Sequence, residues 1–266
     1  TPPEHLRRRT QSYTFTFAVE FRTKEKHVVA KPPDFERLRD AQPFSLTLAR
    51  ADGTQRPFGF FEKKAGAPGD FFGYRRIAPD IAMINWPGND YRGSSILENR
   101  HGDAKTLSLA CLHWLQTECR RDDGGRGYPE LKLRPDIMGT ADGLSKKPYV
   151  REGRRLAALR TIVENDLTTG SARGRLFADT VGLGWYPIDL HSCAYDAVDH
   201  YDPGIPTKPF QIPLGALVPP KLENVLASGK ALGVSHVATG ATRVHPVEWS
   251  IGAAAARTAP CCLKNA

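Results

Sequence analysis

Residues 224–259 restrict the fold of this chain more than any other stretch, because they join a strand pattern, a run of small residues and a helix pattern. Residues 225–227 (Val-Leu-Ala) predict a short buried strand that ends at Gly229. Residues 233–244 are mainly small, which allows the backbone to approach a ligand closely. Pro246 then opens an Ala-rich run and predicts the first turn of a helix, where a missing N–H removes no helical bond.

This arrangement has two interpretations. A helix N-terminus carries unpaired N–H groups and partial positive charge, which suit an anionic ligand. Arg243 adds a fixed positive charge just before that terminus. A strand, a glycine turn and a helix also follow one another in α/β proteins that bind nothing there, and in that case Arg243 forms a salt bridge and the alanines only favour helix.

Four segments, taken in order, extend the pattern over a longer part of the chain. They are PYVREGRRL (148–156), GLGWYPIDLHSC (182–193), FQIPLGALVP (210–219) and LASGKALGVSHVATGATRVHPVEWSIGAAAA (226–256). Together they resemble the C-terminal part of the FAD-dependent oxidoreductase family of xanthan-lyase-associated flavoproteins. The sequence departs from that family's pattern at Lys230, where arginine is usual, at Gly153, where serine is usual, and at residues 240–241 (Gly-Ala), near an expected serine.

The resemblance implies that FAD is the cofactor. The helix that begins at Pro246 would direct its N-terminus at the flavin, which carries negative charge when it is reduced. Arg243 would hold the diphosphate or the pyrimidine edge of the flavin. The residues that the resemblance implies for cofactor binding are Gly229, Ser235, His236, Arg243, Pro246, Val247, Gly252 and Ala253.

His191 and His236 are the candidate catalytic residues. An imidazole titrates near neutral pH, so His191 suits the removal of a hydroxyl proton from an alcohol that is being oxidised. Asp189 is close enough in sequence to orient that ring if the chain turns suitably. His236 contacts flavin or substrate in one interpretation and is a structural histidine in the other. The candidate substrate-binding residues are Tyr186, Asp189, Gln211 and Arg151, and Arg151 has an alternative role in an ion-pair network with Glu152.

The fingerprint G-x-G-x-x-G, which binds a dinucleotide between a strand and a helix, does not occur in the sequence. We therefore expect the dinucleotide-binding half of an FAD domain to precede Thr1 or to lie on a complementary chain. The expected fold class is α+β or α/β. Residues 1–220 would form a β-rich substrate-binding domain with a helical insertion, and residues 221–266 would add the C-terminal strand and helix of a Rossmann-like FAD-binding domain.

Composition limits the other possibilities. The net charge of +8 is spread along the chain without a basic run that alternates with aromatic residues, so we expect no nucleic-acid partner. Five cysteines without a C-x-x-C pair, and eight scattered histidines without H-E-x-x-H, predict no metal site. No apolar run has membrane-spanning length, so we expect a soluble protein without a membrane partner. Both a cytoplasmic and a periplasmic or secreted location remain open.

The positive charge and the alternating strands leave an alternative function open, that of a non-catalytic β-rich protein that binds carbohydrate or a polyanion. The principal expectation is a flavin-dependent oxidoreductase that acts on a small-molecule substrate.

Hydrophobic periodicity predicts the remaining elements. Residues 13–21 alternate strictly and predict a half-buried strand. Residues 44–49 and 57–61 predict a hairpin that turns at residues 51–53. Asp103 predicts the N-cap of a helix that extends to about Arg120.

Further short elements follow from the same reasoning. Residues 81–86, 180–189 and 209–218 predict strands, and a turn follows the first of them at residues 87–90. Residues 154–163 fit a helix by spacing, whereas the resemblance implies a strand followed by a short helix at residues 164–167. We prefer the strand, because local propensity is weak against tertiary context.

Overall fold

A computed structural model describes residues 9–50, 52–61, 70–168, 173–193 and 204–264. The chain forms two compact units. The sheet unit consists of residues 12–150 and 191–202, and the C-terminal unit consists of residues 1–11, 151–190 and 203–266. The expected boundary after residue 220 thus lies inside the C-terminal unit. The assignment of substrate and cofactor to separate domains stays a prediction.

The sheet unit is built on a small antiparallel sheet. Its strands are β1 (Phe17–Phe21), β2 (Thr47–Ala49), β3 (Gln55–Pro57), β4 (Arg76–Ala78), β5 (Ile81–Ile84) and β6 (Leu131–Leu133). Its helices are α1 (Phe35–Ala41), α2 (Phe71–Tyr74), α3 (His101–Thr117) and α4 (Pro135–Met138). The sheet has the order β4-β5-β1-β6, and β2 pairs with β3 in a separate hairpin.

Strand β1 confirms the strand predicted over residues 13–21 only from Phe17 onward. It lies between β5 and β6 and pairs antiparallel with both. The expectation of a half-buried strand was wrong, because Thr14 and Ala18 are as fully buried as Phe15 and Phe17. Residues on both faces of this segment are buried, so the polar and small residues of the alternating pattern do not mark a solvent face.

Three local predictions in the sheet unit are confirmed. Strands β2 and β3 form the expected hairpin, but β3 shares only Pro57 with the strand predicted at 57–61. Gly53 supplies the left-handed turn conformation with φ of 81°. Strand β5 covers the first four residues of the predicted strand 81–86. The turn signal after it corresponds to a single 3₁₀ turn at Pro87–Asn89.

Helix α3 confirms the predicted helix, but the predicted cap was wrong. The helix begins at His101, and Arg100 precedes it without a capping side-chain bond. Asp103 lies inside the first turn, where a carboxylate favours the positive end of the helix. The hydroxyl of Tyr91 donates a hydrogen bond to the Asp103 carboxylate at 3.2 Å. The carboxylate therefore connects the helix to the segment that contains Tyr91 and does not cap the helix.

Aromatic side chains fill the core of the sheet unit. The rings of Phe60 and Tyr128 stack with centroids 3.8 Å apart, and Trp86 meets Phe58 and Phe71 edge to face. Offset stacking and edge-to-face contacts add to the free energy that burial of these rings supplies. The core positions the loop that follows β5, because the Trp86 indole also donates a hydrogen bond to the carbonyl oxygen of Ser45 at 2.7 Å.

The C-terminal unit joins a two-stranded antiparallel sheet to several helices. Its elements are α5 (Glu164–Thr168), β7 (Thr180–Gly184), β8 (Phe210–Pro213), α6 (His236–Thr242) and α7 (His245–Lys264). Strands β7 and β8 pair antiparallel and confirm the first parts of the strands predicted at 180–189 and 209–218. Helices α5 and α7 confirm the predicted short helix and the predicted Ala-rich helix.

Two expectations in the C-terminal unit were wrong. Residues 225–227 form no strand, and Val225 is 48% exposed, so the expected C-terminal strand of a Rossmann-like domain is not found there. The small-residue stretch after it contains helix α6, which the sequence pattern did not predict. The fold class is therefore mixed α/β with small antiparallel sheets.

Residues 154–163 form neither a strand nor a helix, so the preferred prediction of a strand was wrong. Their backbone still bonds to other segments: Leu156 N–H donates to the carbonyl of Ala231, and Ile162 N–H donates to that of Gly233. A single parallel bridge joins Ile162 to Val234. The interpretation as helix was wrong, because these bonds run between segments.

In the part of the chain that the structure describes, no helix combines the length and apolar character needed to cross a bilayer.

Candidate functional site

Helix α7 begins beside an apolar cavity of about 440 Å³ in the C-terminal unit. That volume lies in the range of small-molecule sites, about 300–1,000 Å³. The cavity wall consists of Leu183, Gly184, Trp185, Tyr186, Pro209, Phe210, Val244, Pro246 and Val247. Aromatic and aliphatic side chains dominate the wall, so the cavity suits a flat and largely apolar ring system.

Gly184 allows strand β7 to approach helix α7 closely. A Cβ atom at this position would lie 2.4 Å from the Phe210 ring and 2.9 Å from a methyl group of Val247. Both distances are too short for any side chain, so only glycine keeps strand β7 this near to the first turn of α7. The close packing shapes the wall of the cavity, and the sequence pattern did not identify Gly184 as part of it.

Arg243 is held by Asp189 just before helix α7. Its Nη2 donates to the Asp189 carboxylate at 2.8 Å and to the Asp189 carbonyl oxygen at 2.9 Å. The Arg243 side chain is 5% exposed, and its Nε is buried without a hydrogen-bond partner among the described residues. The salt bridge of the second interpretation is present, but its guanidinium is buried and does not lie on the surface as expected.

Ser235 and His236 form the start of helix α6. The Ser235 hydroxyl accepts a hydrogen bond from the Ala238 N–H at 3.1 Å and caps the helix. His236 is the first residue of the helix, and its Nδ1 lies 2.7 Å from Oε2 of Glu152. The cap gives Ser235 a structural reason for its position, in addition to the cofactor contact that the resemblance implies.

Glu152 is the centre of a buried polar cluster in the C-terminal unit. Its side chain is fully buried, and its carboxylate accepts hydrogen bonds from the Gln11 N–H at 3.0 Å, from His236 and from Arg155. Arg155 also donates to the carbonyl oxygen of Arg9 at 3.2 Å. A buried carboxylate needs such partners, because an unpaired charge in the interior is costly. Of the ion-pair network predicted between Glu152 and Arg151, Arg154 and Arg155, the pair with Arg155 is confirmed.

His191 lies in the sheet unit, where Asp90 is its partner. The ring Nδ1 is 2.5 Å from Oδ2 of Asp90, and both side chains are buried. The carboxylate of Asp189, which the sequence suggested as a partner for His191, instead pairs with Arg243 in the C-terminal unit. The sequence did not predict Asp90 as the partner, because Asp90 precedes His191 by 101 positions and no local pattern links the two residues.

The other predicted site residues have varied surroundings. Tyr186 lines the apolar cavity, and Arg151 is buried. Gln211 accepts hydrogen bonds from the Phe177 N–H at 2.7 Å and from the Thr180 hydroxyl at 2.6 Å, so its oxygen supports the two-stranded sheet.

The small residues predicted for cofactor binding also differ in their surroundings. Gly229 has a positive φ of 61° at a 3₁₀ turn. In helix α7, Gly252 is partly buried, whereas Ala253 is exposed.

A second cavity, of about 630 Å³, lies between α1 and α3 in the sheet unit and is polar. Its charged wall residues are Asp34, Arg37, Arg92, Arg100 and Asp103. Carboxylates accept hydrogen bonds from hydroxyl groups, and guanidinium groups donate to them.

In the part of the chain that is described, no group of three His, Cys, Asp or Glu side chains is arranged to hold a metal ion.

The match to a protein family decides the identity of the chain. The model of the family described as FAD dependent oxidoreductase matches residues 4–266. The chain belongs to this family. FAD is the cofactor of the family, and its chemistry is oxidation and reduction. The match carries no information on xanthan lyases. No match was found among curated proteins or among solved structures.

The residues beside α7 fit the flavin part of FAD. The cavity offers an apolar, aromatic wall for a fused ring, and the first turn of α7 supplies partial positive charge beside it. Arg243 adds a buried guanidinium N–H without a partner among the described residues. Pro246, Val247 and Tyr186 line this cavity, whereas Arg243 is not among its described wall residues.

Sequence reasoning missed Asp90 and Gly184 as site residues. Gly184 was visible only as a glycine in a strand pattern, which often marks close approach of another backbone. Asp90 was visible only as the last residue of the turn predicted at residues 87–90. Nothing in the sequence pairs Asp90 with His191, because the contact depends on tertiary structure.

Proposed function

We propose that this flavoprotein oxidises a sugar-like substrate or another small alcohol, with FAD bound at the start of α7. The apolar cavity beside Pro246 carries the proposal, in a chain that matches its family over nearly its whole length. When bound, FAD supplies the hydride acceptor. The N-terminus of α7 stabilises negative charge that develops beside it.

We propose His191 as the general base, with His236 as the alternative. The oxidised carbon of an alcohol loses a hydride while its oxygen loses a proton, and the base accepts that proton. A ring with one nitrogen fixed by a carboxylate is suited to this role; His191 is buried in such a contact, and the partly buried His236 makes one with Glu152. The polar cavity of the sheet unit offers donors and acceptors for a hydroxylated substrate, but its described wall includes neither His191 nor Asp90.

The dinucleotide-binding half of the FAD site is proposed to come from polypeptide outside these 266 residues, because the sequence lacks the phosphate-binding fingerprint. The alternative of a non-catalytic binding protein loses support, since the family match concerns an oxidoreductase. The apolar wall beside α7 also suits a fused ring better than a polyanion.

Two measurements on protein purified from its source with its flavin test the proposal. Under anaerobic conditions, a panel of aldoses and polyols is added and the visible flavin band is followed, and we expect at least one member to bleach it. Absence of bleaching by every member would contradict the substrate class. Tyr186→Ala should raise the Kd of FAD by up to about tenfold, from the loss of roughly 0.5–1.5 kcal/mol of ring contact.

The matched control for that variant is Tyr74→Ala, which makes the same change at an exposed tyrosine of the sheet unit. Its FAD affinity should equal that of the wild type. Equal FAD affinities of the two variants would show that the cavity beside α7 is not part of the FAD site.

A further inference from the structure

We propose that Asp90 is a positioning residue for His191, and that it holds the imidazole as the tautomer with hydrogen on Nδ1, so that Nε2 is the proton acceptor. The catalytic part of this inference rests on the proposed function, in which His191 is the base. The observation that carries it is the short contact of 2.5 Å between Nδ1 and Oδ2 of Asp90.

Hydrogen bonds to the backbone hold Asp90 and the residue that follows His191. The Asp90 N–H donates to the carbonyl oxygen of Pro87 at 3.1 Å, and the Asp90 carbonyl accepts a bond from Nε2 of Gln42 at 2.7 Å. Next to His191, the carbonyl oxygen of Ser192 accepts a bond from the Ser12 N–H at 2.8 Å. Neither segment depends on the side-chain contact alone for its position. These bonds therefore help to keep the carboxylate and the imidazole next to each other.

The chemistry of the contact selects one tautomer. An ionised carboxylate only accepts hydrogen bonds, so the ring nitrogen that faces it must carry a hydrogen. In the neutral ring the other nitrogen, Nε2, then bears the lone pair. Burial strengthens the selection, because a buried carboxylate without a donor is costly. Asp90 thereby also stabilises the imidazolium that forms when the ring takes a proton.

A nitrogen magnetic-resonance experiment tests the tautomer without any substrate. The protein is labelled with ¹⁵N-histidine, and the ring signals of His191 are assigned from their loss in His191→Asn. We expect Nδ1 of the neutral ring to show the shift of a protonated nitrogen and Nε2 that of a lone-pair nitrogen. In Asp90→Ala this preference should be lost.

The control for the resonance experiment is Asp142→Asn, which changes another paired carboxylate of the sheet unit and should leave both His191 signals in place. If Asp90→Ala does not fold, Asp90→Asn replaces it and should show a smaller change in the same direction. A proton on Nε2 in the wild type, or unchanged signals in the Asp90 variant, would overturn the proposal.

A kinetic double-mutant cycle tests the catalytic part. With the aldose or polyol that bleaches the flavin fastest, Asp90→Ala should slow bleaching by roughly a hundredfold or more, since a general base contributes about 10²–10⁴ in rate. The half-saturating substrate concentration should change only a few-fold. The double variant Asp90→Ala/His191→Asn should be no slower than His191→Asn, because residues that act as one unit are not additive.

The arms of the experiment separate two kinds of failure. Multiplicative losses in the double variant would show that Asp90 does not act through His191 and would overturn the proposal. If no aldose or polyol bleaches the flavin of the wild type, the proposed function fails, and the tautomer measurement still decides whether Asp90 fixes the His191 ring.

Discussion

The imidazole Nδ1 of His236 lies 2.7 Å from the carboxylate of Glu152, a side chain with no exposed surface. This contact joins the first residue of helix α6 to the segment that follows the sheet unit in sequence. Arg155 and the Gln11 N–H complete the shell of the carboxylate. The cluster therefore holds three separate parts of the C-terminal unit together.

Replacement of Glu152 by glutamine should lower the stability of the protein. The variant keeps the size of the side chain but loses its charge and an acceptor for His236 or Arg155, and loss of such charge-assisted bonds costs about 1.5–3 kcal/mol. The measurement is the free energy of unfolding in denaturant. The control is Glu118→Gln, which breaks a half-exposed pair with Arg39 and should cost less than about 1 kcal/mol. Equal losses of unfolding free energy in the two variants would show that the buried cluster stabilises the protein no more than the half-exposed pair does.

Arg243→Ala should raise the Kd of FAD in the complete flavoprotein by one to two decades, since a charge-assisted contact contributes about 1.5–3 kcal/mol. The matched variant is Asp189→Asn, which weakens the same buried pair but leaves the guanidinium in place. Its Kd should stay within about threefold of the wild type. If the two variants weaken binding equally, Arg243 acts on the fold of the segment and does not contact FAD.

The ion pair of Asp136 with Arg134 should stabilise the folded protein except at strongly acidic pH. Its carboxylate takes two hydrogen bonds from Arg134, at 2.8 and 2.6 Å, which lower the pKa of Asp136 from 3.8 to about 2. Because the folded pKa is the lower one, the contribution is complete above pH 3.8 and is lost as the pH falls toward 2.

The measurement for Asp136 compares the pH dependence of unfolding for the wild type and Asp136→Asn. The difference in stability between them should be constant near neutral pH and should shrink toward zero as the pH falls through that window. A difference that does not change with pH would contradict the ion pair.

Local signals identified those elements whose formation depends on neighbouring residues. Pro246 and the alanines after it identified helix α7, and Gly53 identified the hairpin of β2 and β3. Helix α6 was missed although Ser235 caps it, because Gly240 and the β-branched residues within it lower helix propensity and tertiary contacts stabilise the helix nonetheless.

The candidate site was less accessible to sequence reasoning than the helices were. Both histidines were found from their segments, but their carboxylate partners lie 84 positions away for His236 and 101 positions away for His191. Contacts over such separations leave no periodic signal in a single sequence. Val225 shows the opposite error, since an apolar run was taken for a buried strand and proved exposed.

The 266-residue chain by itself should bind FAD weakly or not at all. Its cavity can take the ring, but the sequence has no phosphate-binding turn for the diphosphate. Gel filtration of the chain with added FAD checks this expectation through the flavin absorbance of the protein fraction. Stoichiometric flavin in that fraction would refute it and would show that the diphosphate site lies within these residues.

Stopped-flow bleaching of the flavin in His191→Asn tests the proposed chemistry most directly. Asparagine keeps a hydrogen-bonding group of similar reach but cannot accept a proton near neutral pH. We expect the variant to retain the bound flavin spectrum and normal reoxidation, and to be reduced by substrate about 10²–10⁴ times more slowly. Anaerobic mixing over a range of pH gives the rate, and His236→Asn in the same assay tests the alternative base. Bleaching of His191→Asn within a few-fold of wild type at every pH would contradict the account and leave His191 a structural residue.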